Sequence, residues 1–166
     1  MEIKVYGNPT LRLKAQLVEV NSETVKLAEE MVGMMYTSNG VGLAAPQVGV
    51  SARIIVLDPQ LKTGPLILFN PEIYWADNDI EACEEGCLSF PGMTLEIDRP
   101  SSIRYCYLDK EGKRRERDAS GYEARIVQHE LDHLEGVLIV DHVSQAKRLL
   151  LKRKLSEIKK TGKEQE

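Results

Sequence analysis

The sequence contains no apolar run that approaches the roughly 20 residues needed to cross a bilayer. Its first residues do not show the pattern of a secretory signal peptide, so we expect a cytoplasmic protein with no membrane partner. Cysteine is also scarce, and Cys83, Cys87 and Cys106 form an odd number at uneven spacing. This pattern argues against a disulfide framework and leaves at least one reduced thiol free to bind a metal.

Internal repeats, low-complexity tracts and linkers are likewise missing from the sequence. A chain of 166 residues with 42% hydrophobic and 29% charged residues can bury a core, and we expect a single domain over residues 1–166. The formal charge of −4 is unevenly spread. Residues 143–166 hold eight Lys or Arg against three Glu, a net of +5 that leaves −9 for residues 1–142. A basic run of this kind usually forms a solvated helix face.

Histidine is as rare as cysteine, yet His129 and His133 lie only four residues apart. On an α-helix this spacing places both imidazoles on one face, where they can bind one metal ion. Glu130 follows His129, and a carboxylate there lies close enough to take a proton from water held by the metal. The same pattern occurs by chance on ordinary helices, but its apolar flanks predict burial, where unpaired imidazoles are costly.

A catalytic site of this kind needs a third protein ligand and one open position. Glu157 is the candidate by analogy with thermolysin-like peptidases, but it lies in the basic C-terminal segment. Cys87 is the better candidate, because it stands in a glycine-flanked bend from which a thiolate can project. We therefore expect a metal bound by two imidazoles and a thiolate.

Apolar periodicity and turn residues predict the fold. Strands are predicted at residues 3–5, 54–56, 66–69 and 93–99, with a hairpin that pairs residues 102–108 with 113–118. Residues 63–65 are predicted to form a turn and the acidic residues 76–85 a loop. Helices are predicted from Asn21 or Ser22 to Gly40, around the two histidines, and over residues 147–164. The result is an α+β fold with mainly antiparallel sheets packed around a central metal-binding helix, an N-terminal helix and a C-terminal helix.

Three segments together resemble the signature motifs of one enzyme family, peptide deformylase. They are residues 40–47 (GVGLAAPQ), 85–89 (EGCLS) and 128–136 (QHELDHLEG), in the order and spacing of that family. Residues 9–12 (PTLR) resemble the family as well, so the likeness spans most of the chain.

The resemblance implies an enzyme that removes the formyl group from the N-terminal methionine of nascent polypeptides and releases formate. The positions that match the family's metal ligands are Cys87, His129 and His133. In that family the native metal is Fe(II), with zinc or nickel able to occupy the site, and this ligand set suits several such metals. Metal-held water would attack the formyl carbon, with Glu130 as general base and then general acid.

The resemblance also implies which residues assist the reaction and bind the peptide. Gln47, through its amide, and Leu88, through its backbone N–H, would stabilise the oxyanion. Gly42 would let the peptide backbone approach and pair like an added strand. The pocket for the methionine side chain would be formed by Val41, Tyr122, Ile126 and the alkyl stem of Arg125.

The basic C-terminal helix is predicted to turn Ala146, Leu150, Leu151, Leu155 and Ile158 towards the body and its lysines towards solvent. Bacterial deformylases with such a helix dock near the ribosomal exit tunnel, and the resemblance implies contacts between this helix and rRNA phosphates.

Two other functions remain open from the sequence. One is a metallopeptidase that cuts internal peptide bonds with His129, His133 and a carboxylate as its metal ligands. The other is a ribosome-associated protein whose metal has only a structural role.

Overall fold

The computed structural model describes residues 1–59 and 64–165. Over these residues the chain forms four α-helices: α1 (Ser22–Thr37), α2 (Gly121–Leu134), α3 (Gln145–Leu150) and α4 (Lys152–Glu164). It forms seven β-strands in the same residues: β1 (Gly42–Ala44), β2 (Ile54–Leu57), β3 (Leu66–Ala76), β4 (Ile80–Gly86), β5 (Thr94–Pro100), β6 (Ser102–Leu108) and β7 (Arg114–Ser120). The predicted α+β class is confirmed.

The strands pair antiparallel in two sheets. The larger sheet has the order β1-β2-β3-β6-β7, and the smaller sheet pairs β4 with β5. The predicted hairpin is confirmed as β6 and β7, which pair from Ser102 with Ser120 to Leu108 with Arg114. Helix α2 packs against β1, β2, β6 and β7 of the larger sheet and against β5 of the smaller one. It therefore occupies the central position that was predicted for the metal-binding helix.

Helix α1 begins where the sequence predicts. The Asn21 side chain accepts hydrogen bonds from the backbone N–H groups of Glu23 and Thr24, which are otherwise unsatisfied at a helix start. Its buried face carries Ala28, Met31 and Met35, which pack in one core cluster with β2 and the first half of β3. No helix in the described part of the chain is both long enough and apolar enough to cross a membrane.

Three strand predictions need correction. Residues 3–5 form no regular strand, because Lys4 N–H donates to Gln47 O and Tyr6 N–H to Ser89 O, in two separate segments. Residues 80–86 are a strand and not a loop, because they pair along their whole length with β5. The prediction was wrong because most of their side chains are exposed and several are acidic, as in a loop. Strand β3 continues past Asn70 and Pro71, because a shift in register there accommodates the proline. The predicted turn at 63–65 lies partly outside the described residues.

The C-terminal segment is two helices and not one, because the chain turns at Leu151 between α3 and α4. Leu155 and Ile158 are buried as predicted, and Leu151 is partly buried against the same cluster. Ala146 and Leu150 are exposed, contrary to the prediction. At roughly 100° per residue, Ala146 and Leu150 lie about 180° and about 140° around a helix axis from Leu155, so they face solvent when Leu155 faces the core.

The N-terminal segment packs directly against α4 and the residue that follows it, Gln165. Gln165 accepts a hydrogen bond from Val5 N–H at 2.9 Å and donates one to Ile3 O at 2.9 Å. Gly162 lies against the same segment, where an added Cβ would stand 2.6 Å from the carbonyl oxygen of Val5. Because side chains do not fit at that distance, the sequence needs glycine at this helical position.

This close approach yields a stability prediction. We expect Gly162→Ala to lower the free energy of unfolding by about 1–3 kcal/mol, since the methyl group would force α4 away from the N-terminal segment. Gly33→Ala on α1 is the matched control, because a Cβ there meets no atom within 4 Å. It should raise stability by about 0.5–1 kcal/mol through helix propensity. Urea unfolding of both variants measures this, and equal effects would contradict the packing role of Gly162.

Candidate metal centre and active site

The two histidines of α2 and one cysteine meet in the interior. His129 and His133 are buried on the same face of α2, and Cys87 follows directly after β4. The Cys87 Sγ atom lies 3.3 Å from His133 Nε2. One potential ligand atom from each of the three residues lies within 4.8 Å of the other two. The structure therefore brings together the three residues predicted to bind the metal.

The chemistry of this group fits a divalent transition metal. Two imidazoles and a thiolate leave one position of a tetrahedral centre for water, as catalytic metal sites require. Glu130 lies beside them, and its Oε2 atom is buried without a hydrogen-bond partner in the described residues. Such an oxygen is free to accept a hydrogen bond, and then a proton, from a water molecule that the metal would hold.

Glu85 is the functional residue for which the sequence analysis gave no role, although it begins the second motif. Its Oε2 atom lies 2.9 Å from His129 Nδ1, which orients the imidazole and leaves Nε2 for a metal. Its Oε1 atom accepts hydrogen bonds from Arg99 Nε at 2.7 Å and from Arg125 at 2.8 Å. Arg99 also donates to Asp132 at 2.9 Å.

Burial and these contacts shift four pKa values. Burial alone would raise the pKa of Glu85, but hydrogen bonds from His129 and Arg99 outweigh it and hold the pKa far below its usual range. Burial raises the pKa of Glu130 to about 7. Burial lowers the pKa of His133, which favours the neutral imidazole that a metal needs. For His129, hydrogen bonds to Cys87 and Glu85 overcome the effect of burial and raise the pKa.

The two groups predicted to stabilise the oxyanion lie beside Cys87. Gln47 accepts a hydrogen bond from Ala44 N–H at 2.9 Å, so its amide nitrogen points the other way. That nitrogen lies 3.6 Å from Cys87 Sγ and 3.2 Å from the Ser89 hydroxyl. Leu88 follows Cys87 directly and borders the same cavity. Both predicted donors are therefore close to the candidate metal ligands.

Two of the candidate ligands, Cys87 and His129, line a cavity of about 540 Å³, together with Glu130. Its lining includes all five residues predicted to bind substrate: Val41, Gly42, Tyr122, Arg125 and Ile126. Tyr122 is 56% exposed and stands at the rim. The guanidinium group of Arg125 donates to Ile97 O, Glu81 O and Glu85, which leaves its alkyl stem for the cavity wall.

Gly42 shows a packing reason for glycine that differs from the predicted one. A Cβ at this position would stand 2.5 Å from Glu130 Oε1 and 2.8 Å from Ile126 Cγ2. Any side chain would therefore displace the candidate catalytic carboxylate, whether or not a peptide lies nearby. The first and third motifs meet at this contact.

Three other residues that could bind a metal, Cys83, His142 and Glu157, do not join the centre. Cys83 is exposed on β4, and His142 lies 2.7 Å from Asp132, which is not one of the candidate ligands. Glu157, the alternative third ligand, is exposed on α4 and pairs with Arg153. In the described residues, Cys87, His129 and His133 are the group placed to hold a metal.

An antiparallel α+β fold with two histidines and a cysteine around a buried glutamate defines a metal-dependent hydrolase. The chain belongs to the polypeptide deformylase family, whose model matches residues 1–149. The resemblance of the three motifs to this family is thereby confirmed.

Individual relatives agree with this assignment. The peptide deformylase of Thermotoga maritima is 48% identical over 162 residues, which cover 97% of this chain and 98% of that protein. A crystal structure of a peptide deformylase from Synechococcus elongatus in complex with actinonin matches with a TM-score of 0.87 and 40% identity, over 94% of this chain and 86% of the other. The peptide deformylase structure from Thermus thermophilus gives a TM-score of 0.89 and 38% identity, over 96% and 98%.

The contacts of Glu85 predict its effect on metal binding. We expect Glu85→Gln to lower metal affinity about 10–100-fold, because an amide holds the His129 imidazole less firmly and removes one of the two carboxylates that pair with Arg99. Competition with a chromogenic chelator measures the affinity, and thermal unfolding reports on the fold. Glu84→Gln, at the exposed neighbouring position, is the control and should keep full affinity. Equal affinities for the two folded variants would refute the orienting role of Glu85.

Proposed function

We propose that this protein removes the formyl group from the N-terminal formyl-methionine of nascent polypeptides and releases formate. The observation that carries the proposal is the convergence of Cys87, His129 and His133 beside the buried Glu130, at one cavity of a polypeptide deformylase chain. The substrate class agrees with the predicted cytoplasmic location, since nascent chains emerge there.

Cys87, His129 and His133 would hold one divalent metal ion. We favour Fe(II), with zinc or nickel as alternatives, because two imidazoles and a thiolate suit all three. When bound, the metal supplies a Lewis acid that polarises the formyl oxygen and makes water more acidic. A divalent cation at this position also opposes the effect of burial on Glu130 and lowers its pKa from the value near 7.

Glu130 moves the proton of the reaction. Its carboxylate takes a proton from the attacking water and passes it to the departing amine, which restores the carboxylate for the next cycle. Gln47, through its amide nitrogen, and Leu88, through its N–H, donate hydrogen bonds to the oxygen on which negative charge develops. The Ala44 N–H group holds Gln47 in this orientation before substrate arrives.

The substrate binds across the cavity and along β1. This strand is at the edge of the larger sheet and pairs only with β2 within it, so its outer side can accept an added strand. A peptide paired there would pass Gly42 and place its first residue over Val41 and Ile126. The methionine side chain would then lie in the apolar part of the cavity, with Tyr122 at its rim.

The basic C-terminal segment, which contains α3 and α4, leads to a second part of the proposal: the enzyme binds the ribosome and meets its substrate there. Lysines and arginines of α3 and α4 are exposed, and α4 is fixed to the body by Leu155 and Ile158. A fixed array of cations can bind rRNA phosphates with release of counterions, which makes such binding dependent on salt.

The proton-transfer role of Glu130 can be measured directly. We expect Glu130→Gln to lose about 10²–10⁴ in the rate of formate release from an N-formyl-methionyl tripeptide while it keeps the metal. The protein should be purified without oxygen and loaded with Fe(II) or nickel, since an iron–thiolate centre is open to oxidation. Glu157→Gln is the control and should keep full activity. An unchanged rate in metal-loaded Glu130→Gln would instead favour a purely structural metal.

The ribosome contact can be tested without disturbing the core. We expect the replacement of Lys147, Arg153 and Lys160 by glutamate to reduce co-sedimentation with ribosomes. The slope of log affinity against log salt concentration should fall by roughly one for each phosphate contact that is lost. Deletion of the tail would be uninformative, because Leu155 and Ile158 belong to the core.

The control carries the same reversals at exposed cations far from the tail: Lys26, Arg104 and Lys113. If both triple variants co-sediment equally well at low salt, the tail does not dock on the ribosome.

A further inference from the structure

A second concave surface lies away from the candidate active site. It is a groove of about 410 Å³ between α3, α4 and the N-terminal segment, called here the α3–α4 groove. Its apolar lining is formed by Tyr6, Leu149 and Leu155, and its cationic lining by Arg148, Lys152 and Lys159. The proposed reaction uses none of these residues, and the ribosome contact is tested at cations outside the groove: Lys147, Arg153 and Lys160.

The apolar part of the groove continues onto an exposed surface. Leu149 is 69% exposed, and the adjacent Leu150 is 86% exposed. Both leucines lie outside the core, although Leu150 was predicted to face the body. Exposed apolar side chains that continue into a groove mark a site of interaction more often than scattered ones do.

The charged part of the groove is unpaired. Within the described residues, no carboxylate forms an ion pair with Arg148, Lys152 or Lys159, and Arg148 donates instead to the Asp141 carbonyl oxygen. The rest of the chain, residues 1–142, carries a formal charge of −9. The groove therefore concentrates positive charge on an otherwise acidic molecule, and this complementarity selects an anionic occupant.

We propose that the α3–α4 groove docks an acidic segment of a protein partner. An apolar side chain of that segment would lie between Leu149 and Leu155, and its carboxylates would contact the groove cations Arg148, Lys152 and Lys159. Peptide segments combine both kinds of group at this spacing, whereas nucleic-acid phosphates offer no apolar contact to the leucines.

A membrane surface fits the groove less well than a peptide. An interfacial helix inserts a continuous apolar face into the lipid, but the apolar face of α4, with Leu155 and Ile158, is already packed in the core. Only Leu149 and Leu150 remain free, and two side chains offer little area for insertion. They are sufficient as the anchor of a small protein contact.

The docked segment would stand close to the substrate cavity without entering it. Tyr6 in the groove stacks on Phe90 with ring centroids 5.0 Å apart, and Phe90 lines the cavity. Lys154 of α4 also donates a hydrogen bond to the carbonyl oxygen of Gly92 in the same cavity wall. One stacked pair therefore separates the two surfaces.

The test uses the full chain and a defined probe. The probe is a fluorescein-labelled synthetic helix that carries leucines on one face and glutamates on the other, and its match carries lysines in place of the glutamates. Fluorescence anisotropy should show that the glutamate probe binds and the lysine probe does not. Binding of the glutamate probe should become weaker at high salt, because salt screens the charges. We expect the double variants Leu149→Asn with Leu150→Asn, and Lys152→Glu with Lys159→Glu, each to weaken binding about tenfold or more.

Controls separate groove binding from general effects. Leu17→Asn changes an exposed leucine elsewhere, and Lys26→Glu with Lys113→Glu makes the same charge change outside the groove. Both should bind the glutamate probe as the unchanged protein does, and all variants should keep their thermal stability and formate release.

Several outcomes would overturn the proposal. They are failure of the glutamate probe to bind, equal binding of the lysine probe, and equal losses in the control variants. Groove-dependent binding of an RNA hairpin or of anionic vesicles with no binding of the glutamate probe would assign the groove to those partners instead. Concentration-dependent dimers that the leucine variants abolish would assign it to a second copy of the chain. None of the binding measurements depends on deformylase activity.

Discussion

One buried carboxylate is the centre of the polar contacts that join the β4–β5 sheet to α2. Glu85 is the second-last residue of β4, and its two oxygens reach Arg99 on β5 and both Arg125 and His129 on α2. The β4–β5 sheet shares no strand pairing with the larger sheet in the described residues, so these contacts fix its position against α2. A buried ion of this kind is tolerable only when every oxygen is satisfied, and removal of one partner typically costs about 3–5 kcal/mol. The same carboxylate orients a candidate metal ligand, so fold and site depend on one group.

The candidate site follows from how closely two distant segments, residues 42–47 and the residues around Cys87, approach α2. Gly42 touches Glu130 and Ile126 so closely that only glycine fits, which brings β1 to the helix. Directly after β1, Gln47 is held by the Ala44 N–H group and turned towards Cys87. The backbone therefore orients the Gln47 amide before any substrate binds. Such orientation in advance is the main source of electrostatic catalysis.

Features with a local cause could be predicted from the sequence. The spacing of His129 and His133 predicts their shared face, and the turn residues predict the hairpin of β6 and β7. Features with a distant cause could not. Residues 80–86 look like a loop because both faces of that strand lie near solvent, so no apolar alternation marks it. Glu85 belonged to a recognised motif, but its partners lie 14, 40 and 44 residues along the chain, and periodicity carries no trace of them.

The C-terminal helix shows how far the folded unit extends beyond the family's shared region. The family model ends at residue 149, yet Leu155 and Ile158 on α4 are buried with Val5 and the other members of one core cluster. Folding removes the apolar surface of these two side chains from water, so α4 contributes stability as well as charge. Because Gln165 and the close contact at Gly162 also hold the helix, its lysines project from a rigid support. Because α4 is already ordered, binding of a partner there would cost little conformational entropy of the helix. This surface is therefore better suited to recognition than a flexible basic segment would be.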